Sequence, residues 1–473
     1  MVGWTIRLRS AAALICFILG IGACCPAGLA FDQRSMANYW QPGTTLAEVV
    51  PREPKGLPPA PAYLPGTSIT PPDQPTGKSG DAVVVPPVRP IDSKQQLGDL
   101  DRQAGSDRSA DAVWARLGSY LPEPGHFAVV PGSALRPFLV KSGEFDFCEQ
   151  IKCNRSRGVL GAWNGAAFNE ERGELRVHGG GHADYGGNEI YKFDFTTLTW
   201  VRETDPQPLT GRSQRDTNQD GIPDICPGPA VGPPATHTYQ GFLYVPKIDR
   251  YWLLGTVGYC SDGMGRSAAW EYDANTKTWT AMPDLVKFAN FTRAVIDPDS
   301  GNLLVHVGRK EGWFEIDPVA RRVVRSLDRD AFGPYIDGPA VFDPQRRVLY
   351  ALVGGGDVDR LVAYQWPRRG ESAAMSGRLV AEWPKAGRKG WGMAQHASGR
   401  LVLWNGSARI VVVDPESGRS WEEDARGYPK TTVDSKRGSK VYSKFGYISA
   451  IDTFFGITDA DLGIVLYRLA SSE

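Results

Sequence analysis

From about Gly158 onward, apolar and polar positions alternate with a period of two over short stretches, and each stretch ends in Gly, Asp, Asn or Pro. Such alternation between turn residues predicts antiparallel strands. The stretches fall into two recurring halves. One is a hairpin of apolar strand, turn and apolar strand, seen at Ala167–Val177, Tyr244–Leu254, Val295–Val307, Val341–Val353 and Ala394–Trp404. The other is a strand ending in Asp, a turn, and a strand carrying Trp, seen at Ile190–Trp200, Trp270–Trp279 and Ile410–Trp421, with a degenerate copy at Phe314–Val324. Four strands per unit, repeated at about 45 residues, predict an all-β propeller of four-stranded blades. Five blades are clear, and a partial sixth covers Ser443–Tyr467. A strand near Phe127–Phe138 completes it and closes the ring. Six blades fit best, with seven left open.

The first blade carries Gly179-Gly180 after its second strand, then Tyr191 and Trp200. In this it resembles a kelch repeat. Later blades keep less: Gly354-Gly355 stands near Asp357, while Gly258 and Gly308 stand alone. The resemblance covers Gly158–Tyr467 and implies a kelch-like β-propeller, similar to the central domain of galactose oxidase. Kelch propellers serve both as binding scaffolds and as oxidases, so the resemblance implies a fold rather than an activity. A copper-radical oxidase needs two His, two Tyr and a Cys linked to a Tyr, and no such set is legible here.

The N-terminus reads differently. Arg7 and Arg9 precede an apolar run, Ala11–Ile21, then small residues, which is the order of a secretory signal peptide. Cleavage after Gly28-Leu29-Ala30 gives a signal of residues 1–30. Ile21-Gly22-Ala23-Cys24 resembles a bacterial lipobox and offers a lipid anchor at Cys24 instead. Both place the protein outside the cytoplasm: periplasmic, at the cell surface or secreted. Residues 31–108 form a Pro-rich arm with Pro58-Pro59, Pro71-Pro72 and Pro86-Pro87. Val113, Leu117 and Tyr120 at helical spacing predict a short helix within 109–122, and the propeller occupies 123–473. Four cysteines remain after the signal: Cys148, Cys153, Cys226 and Cys260. In an oxidising compartment they predict two disulfides, with three pairings open. Acidic and basic residues number 53 each, which removes the electrostatic case for nucleic acid.

Propeller topology puts the turns after first and third strands on one face and the connections after second and fourth strands on the other. The first set is short. The second is long and polar: 178–188, 204–237, 258–267, 308–312, 330–338, 354–360 and 385–391. Function is expected on this second face. Within the 204–236 insert, Asp216, Asn218, Asp220 and Asp224 alternate around Gly221, and the backbone carbonyl of Ile222 completes an oxygen set suited to Ca2+. The loop resembles those of thrombospondin type 3 and dockerin repeats, although Pro227 stands where a bidentate glutamate would. The alternative is a plain polar turn.

The run from His178 to Glu189 holds His178, His182, Asp184 and Tyr185, two of the six histidines of the chain among them. Its glycines permit close backbone approach. His237, Tyr259 and Arg266 are expected on the same face. A neutral His or Tyr as base beside an Arg that holds a carboxylate is equipment for β-elimination on a uronic acid. His182, His237, Tyr259 and Arg266 are therefore the candidate catalytic set, and His178, Asp184, Tyr185 and Trp391 the candidate ligand contacts. Purely structural roles for these residues stay open. Two functions follow: a module binding a glycan or an extracytoplasmic protein, and a polysaccharide lyase.

Overall fold

In the computed structural model, described residues are 114–181, 184–209, 211–212, 225–226, 232–254, 257–259, 269–282, 285, 292–307, 312–327, 338–355, 357–368, 370–371, 376–384, 390–429 and 440–470, with backbone alone at 211–212, 225–226, 257, 355 and 376. The proposed calcium loop, His182, Arg266 and Cys260 lie outside them.

Six four-stranded antiparallel sheets form the ring. Blade 1 comprises Ala166–Asn169, Glu174–His178, Ile190–Asp194 and Thr199–Arg202, from the axis outward. Blades 2 to 5 repeat this order, with first strands at Phe242–Val245, Arg293–Asp297, Ala340–Asp343 and Gly392–Gln395. Blade 6 takes Phe445–Ile448, Thr453–Gly456 and Val465–Tyr467 from the C-terminus and Phe127–Val129 from the N-terminal side. Phe127 pairs with Tyr467 and Val129 with Val465. The ring is thus closed by hydrogen bonds between the two ends of the propeller, within one blade.

The cores lie between blades. Trp200, Phe193, Val177 and Leu175 of blade 1 share one cluster with Phe455 and Ile448 of blade 6. This explains why the strands read as alternating yet are buried on both sides: each sheet is covered by its neighbours. One polar network also bridges blades. Buried Arg176 bonds Glu174 at 2.8 Å, Glu203 at 2.8 Å and the Tyr251 hydroxyl of blade 2. With all three ion-pair members buried, the pairing is what keeps their desolvation tolerable.

One face carries a repeated turn. Four residues beyond the end of every first strand, at Gly173, Asp249, Gly301, Arg347, Gly399 and Asp452, φ is positive (47° to 85°). Leu198, Lys277, Arg321 and Gly418 repeat this four residues after Asp194, Asp273, Asp317 and Asp414. Those aspartates, the strand-ending residues of the sequence pattern, accept the amide of the residue two further on at 2.8, 2.9, 2.9 and 3.0 Å. An Asx turn fixes each reversal locally. On the opposite face, Gly354 and Gly355 differ from expectation. They pair with Asp359 and Val358 as strand, so the ladder runs through the glycine pair rather than ending in a loop there.

Before the ring, Trp114 and Leu117 are buried, Leu117–Tyr120 is a 3-10 helix, and Arg116 bonds the Thr197 carbonyl at 3.2 Å on the turn face. Among the described residues, no helix is long and apolar enough to cross a membrane.

Candidate functional site on the loop face

The segment 130–165 joins the edge strand of blade 6 to blade 1 and crosses the loop face. It holds short helices at Cys148–Ile151 and Gly158–Gly161, and a disulfide between Cys148 and Cys153. This is one of the pairings the cysteine count allowed. The disulfide-closed turn packs on the Gly-rich loop of blade 1. The Gly186 amide donates to the Ile151 carbonyl at 2.8 Å, and the Tyr259 hydroxyl donates to the Gln150 carbonyl at 3.1 Å. Tyr185, Tyr259, Cys153 and Ile151 form a single apolar cluster.

Several candidate residues are therefore held in packing. His178 ends the second strand of blade 1, fully buried. Its Nδ1 faces the Glu189 carbonyl at 3.3 Å, so Nδ1 carries the proton, and burial pushes its pKa down to about 4. Tyr185 and Tyr191 both donate to Oε1 of buried Glu189, at 2.7 and 2.8 Å. Burial raises the Glu189 carboxyl and, with the charge of that neighbour, raises Tyr185. Trp391 is buried among residues of blades 4 and 5, including Met393 and Leu401, immediately before the first strand of blade 5.

His237 and Asp184 are brought together. The imidazole Nε2–H donates to Asp184 Oδ2 at 3.2 Å. His237 lies in a two-residue strand paired with Val257 and Gly258, which anchors the end of the long 204–236 insert against the loop holding Tyr259. Asp184 is half-buried. Among the described residues no three His, Cys, Asp or Glu side chains gather as a metal site.

The pattern of the chain did not single out Trp163. Its ring lies 5.0 Å from that of His237, at 38°. Trp163, Tyr239 and Tyr442 each stand three residues before the first strand of a blade, in blades 1, 2 and 6, and each has positive φ: 53°, 47° and 48°. Tyr239 and Tyr442 meet edge-on at 5.6 Å, and Trp163 packs on the pair. The legible signal was the repeated Trp163-Asn-Gly165 and Tyr239-Gln-Gly241 spacing ahead of the inner strands. A Cβ at Gly165 would run into the Tyr239 carbonyl and the Ser443 hydroxyl, so glycine is what lets three blades converge.

No protein-family model matches the chain, and no curated protein matches it. Solved structures that overlap it include an auxiliary nutrient binding protein from Bacteroides thetaiotaomicron (TM-score 0.42, 10% identity, 64% of this chain and 68% of that one). A gluconolactonase from Xanthomonas campestris overlaps with a TM-score of 0.40 and 13% identity, over 64% of this chain and 84% of that one. The overlaps are partial and the identities low; the propeller assignment rests on the strand pairings above.

Proposed function

We propose that this chain is an exported kelch-type propeller that binds a glycan or an extracytoplasmic protein through its loop face, with a structural Ca2+ in the Asp216–Asp224 loop. The observation that supports it most is the contrast between faces: one is built mostly of closed five-residue turns, while the other receives most of the long connections and the His237–Asp184 pair. Rigid scaffolds display binding groups on such connections. The Gly-Gly pair, Tyr191 and Trp200 fall at the end of the second strand and within the third and fourth strands of blade 1, in keeping with a kelch blade.

A second reading has one observation in its favour. A carboxylate holding an imidazole in one orientation is how a general base is prepared, so His237 with His182, Tyr259 and Arg266 suits a uronic-acid lyase. One experiment separates the two. The mature protein is run by affinity electrophoresis through neutral and acidic polysaccharides with Ca2+ and with a chelator, while ultraviolet absorbance follows unsaturated sugar ends. Retardation by a polysaccharide without growth of absorbance is expected. Absorbance that grows and is lost in His237→Ala makes the protein a lyase. Neither signal removes the glycan and leaves a protein partner.

A further inference from the structure

Trp163, Tyr239 and Tyr442 share a feature that packing alone does not require. Aromatic residues rarely adopt left-handed φ, and holding one there costs about 1–3 kcal/mol. Three such residues occur at one equivalent position in three consecutive blades, 6, 1 and 2, at the loop-face end of the innermost strands. The surroundings over-determine them. The Tyr239 amide donates to the Trp163 carbonyl at 2.9 Å, the Gly165 amide to Thr238 Oγ1 at 2.8 Å, and the Ala166 amide to Ser443 Oγ at 3.0 Å.

Strain sustained by this many bonds sets the direction of the rings. Tyr239 and Tyr442 are buried and form the support, whereas Trp163, packed against them, is only half-buried. Beside it stands a polar pair, buried His237 and half-buried Asp184, with the imidazole 5.0 Å from the indole and 3.2 Å from the carboxylate. A flat apolar surface bordered by a fixed acceptor suits a ring that has one C–H face and equatorial hydroxyls. The carboxylate accepts hydroxyl protons and repels a second carboxylate.

We propose that Trp163, with the Asp184–His237 pair, forms a subsite for a neutral pyranose sugar at the loop-face end of the innermost strands. The proposal rests on the glycan-binding reading above and narrows it: Trp163 is the stacking surface, Asp184 the hydroxyl acceptor, and uronates are excluded.

The test is calorimetric titration of the mature protein with cellohexaose, mannohexaose, xylohexaose and chitohexaose, with hexagalacturonate as the acidic comparison. A neutral hexasaccharide binds, Trp163→Ala weakens it at least about tenfold, and Trp163→Phe stays within about threefold. Asp184→Asn weakens the same ligand with the melting temperature unchanged. Because Trp163→Ala could unfold the lead-in to blade 1, the wild type is also footprinted with hydroxyl radicals, where bound sugar lowers oxidation of Trp163. Binding of a neutral sugar that neither protects Trp163 nor responds to its replacement overturns the subsite and leaves the glycan reading standing. Preference for hexagalacturonate overturns the sugar class. If no oligosaccharide binds, both the subsite and the glycan reading fall together.

Discussion

The two faces of the propeller are held together by opposite means. On the turn face every first-strand reversal carries a left-handed residue four positions on. Four of the reversals that follow third strands are closed within five residues by an aspartate bonding two positions ahead. On the loop face the lead-ins to the inner strands are held by partners far away in sequence. The Asn164 carboxamide accepts the Thr238 amide at 3.1 Å and donates to the Gly158 and Val159 carbonyls at 2.9 and 3.2 Å. Gln240 bonds both the amide and the carbonyl of Ala340, two blades on, at 2.8 and 2.7 Å. Lys444 donates to the Leu160 carbonyl at 2.6 Å and to the Asn164 carbonyl. A locally closed face can repeat with little regard to its neighbours. A face tied blade to blade couples each lead-in to the next, and there the strained aromatics are held.

The largest expected effect comes from cutting one of the long-range ties. Asn164→Ala removes three hydrogen bonds and leaves the buried Thr238 amide unpaired. It should cost about 3 kcal/mol, since an orphaned buried donor loses its full solvation. Chemical denaturation measures the loss. A cost below about 1 kcal/mol would mean that the loop-face ties are incidental and the blades stand by their turns alone.

The same contrast accounts for what the sequence disclosed. Strand alternation, Asp-led turns and the edge strand at Phe127 are short-range signals, and they yielded blade number, ring closure and the sorting of loops to one face. The pairing of Cys148 with Cys153 was one open choice among three. Trp163 was passed over because nothing within its own segment marks it; its role depends on His237, Tyr239 and Tyr442 arriving from other blades. His178 and Tyr185 were marked by residue type, yet their partners in the structure are Glu189 and the interblade core. The Gly354-Gly355 pair looked like a loop because glycine usually ends a strand, whereas here the ladder runs through it.

A second effect, smaller for each pH unit, separates the faces by pH. Lys444 is fully buried with two carbonyls as acceptors, a geometry that a neutral amine satisfies, and burial lowers its pKa from 10.5 to about 7. Between pH 7 and 10.5 the unfolded chain holds a proton at this site that the folded chain has released. Stability therefore rises with pH through that window, by at most about 1.4 kcal/mol per unit, and is level with respect to this group below it. Lys444→Met removes this contribution, so the difference between wild type and variant should grow from pH 7 to 10 in paired denaturation curves. A difference independent of pH would place a charged lysine in the fold.

The smallest effects belong to the turn face and are expected with opposite signs at equivalent positions. Gly399 has φ of 85°, so Gly399→Ala forces a Cβ into the left-handed region and should cost about 1 kcal/mol. Lys277 is exposed with φ of 58°; Lys277→Gly relieves the same strain at some cost in chain entropy and should gain about 0.5 kcal/mol. Because each turn is closed on itself, the two changes should add within about 0.5 kcal/mol in the double variant. The sugar binding proposed for the far face should be identical in all three proteins. A turn-face exchange that altered that binding would show the two faces to be coupled through the blades, and the local closure of each Asp-led turn would then be only part of what holds it.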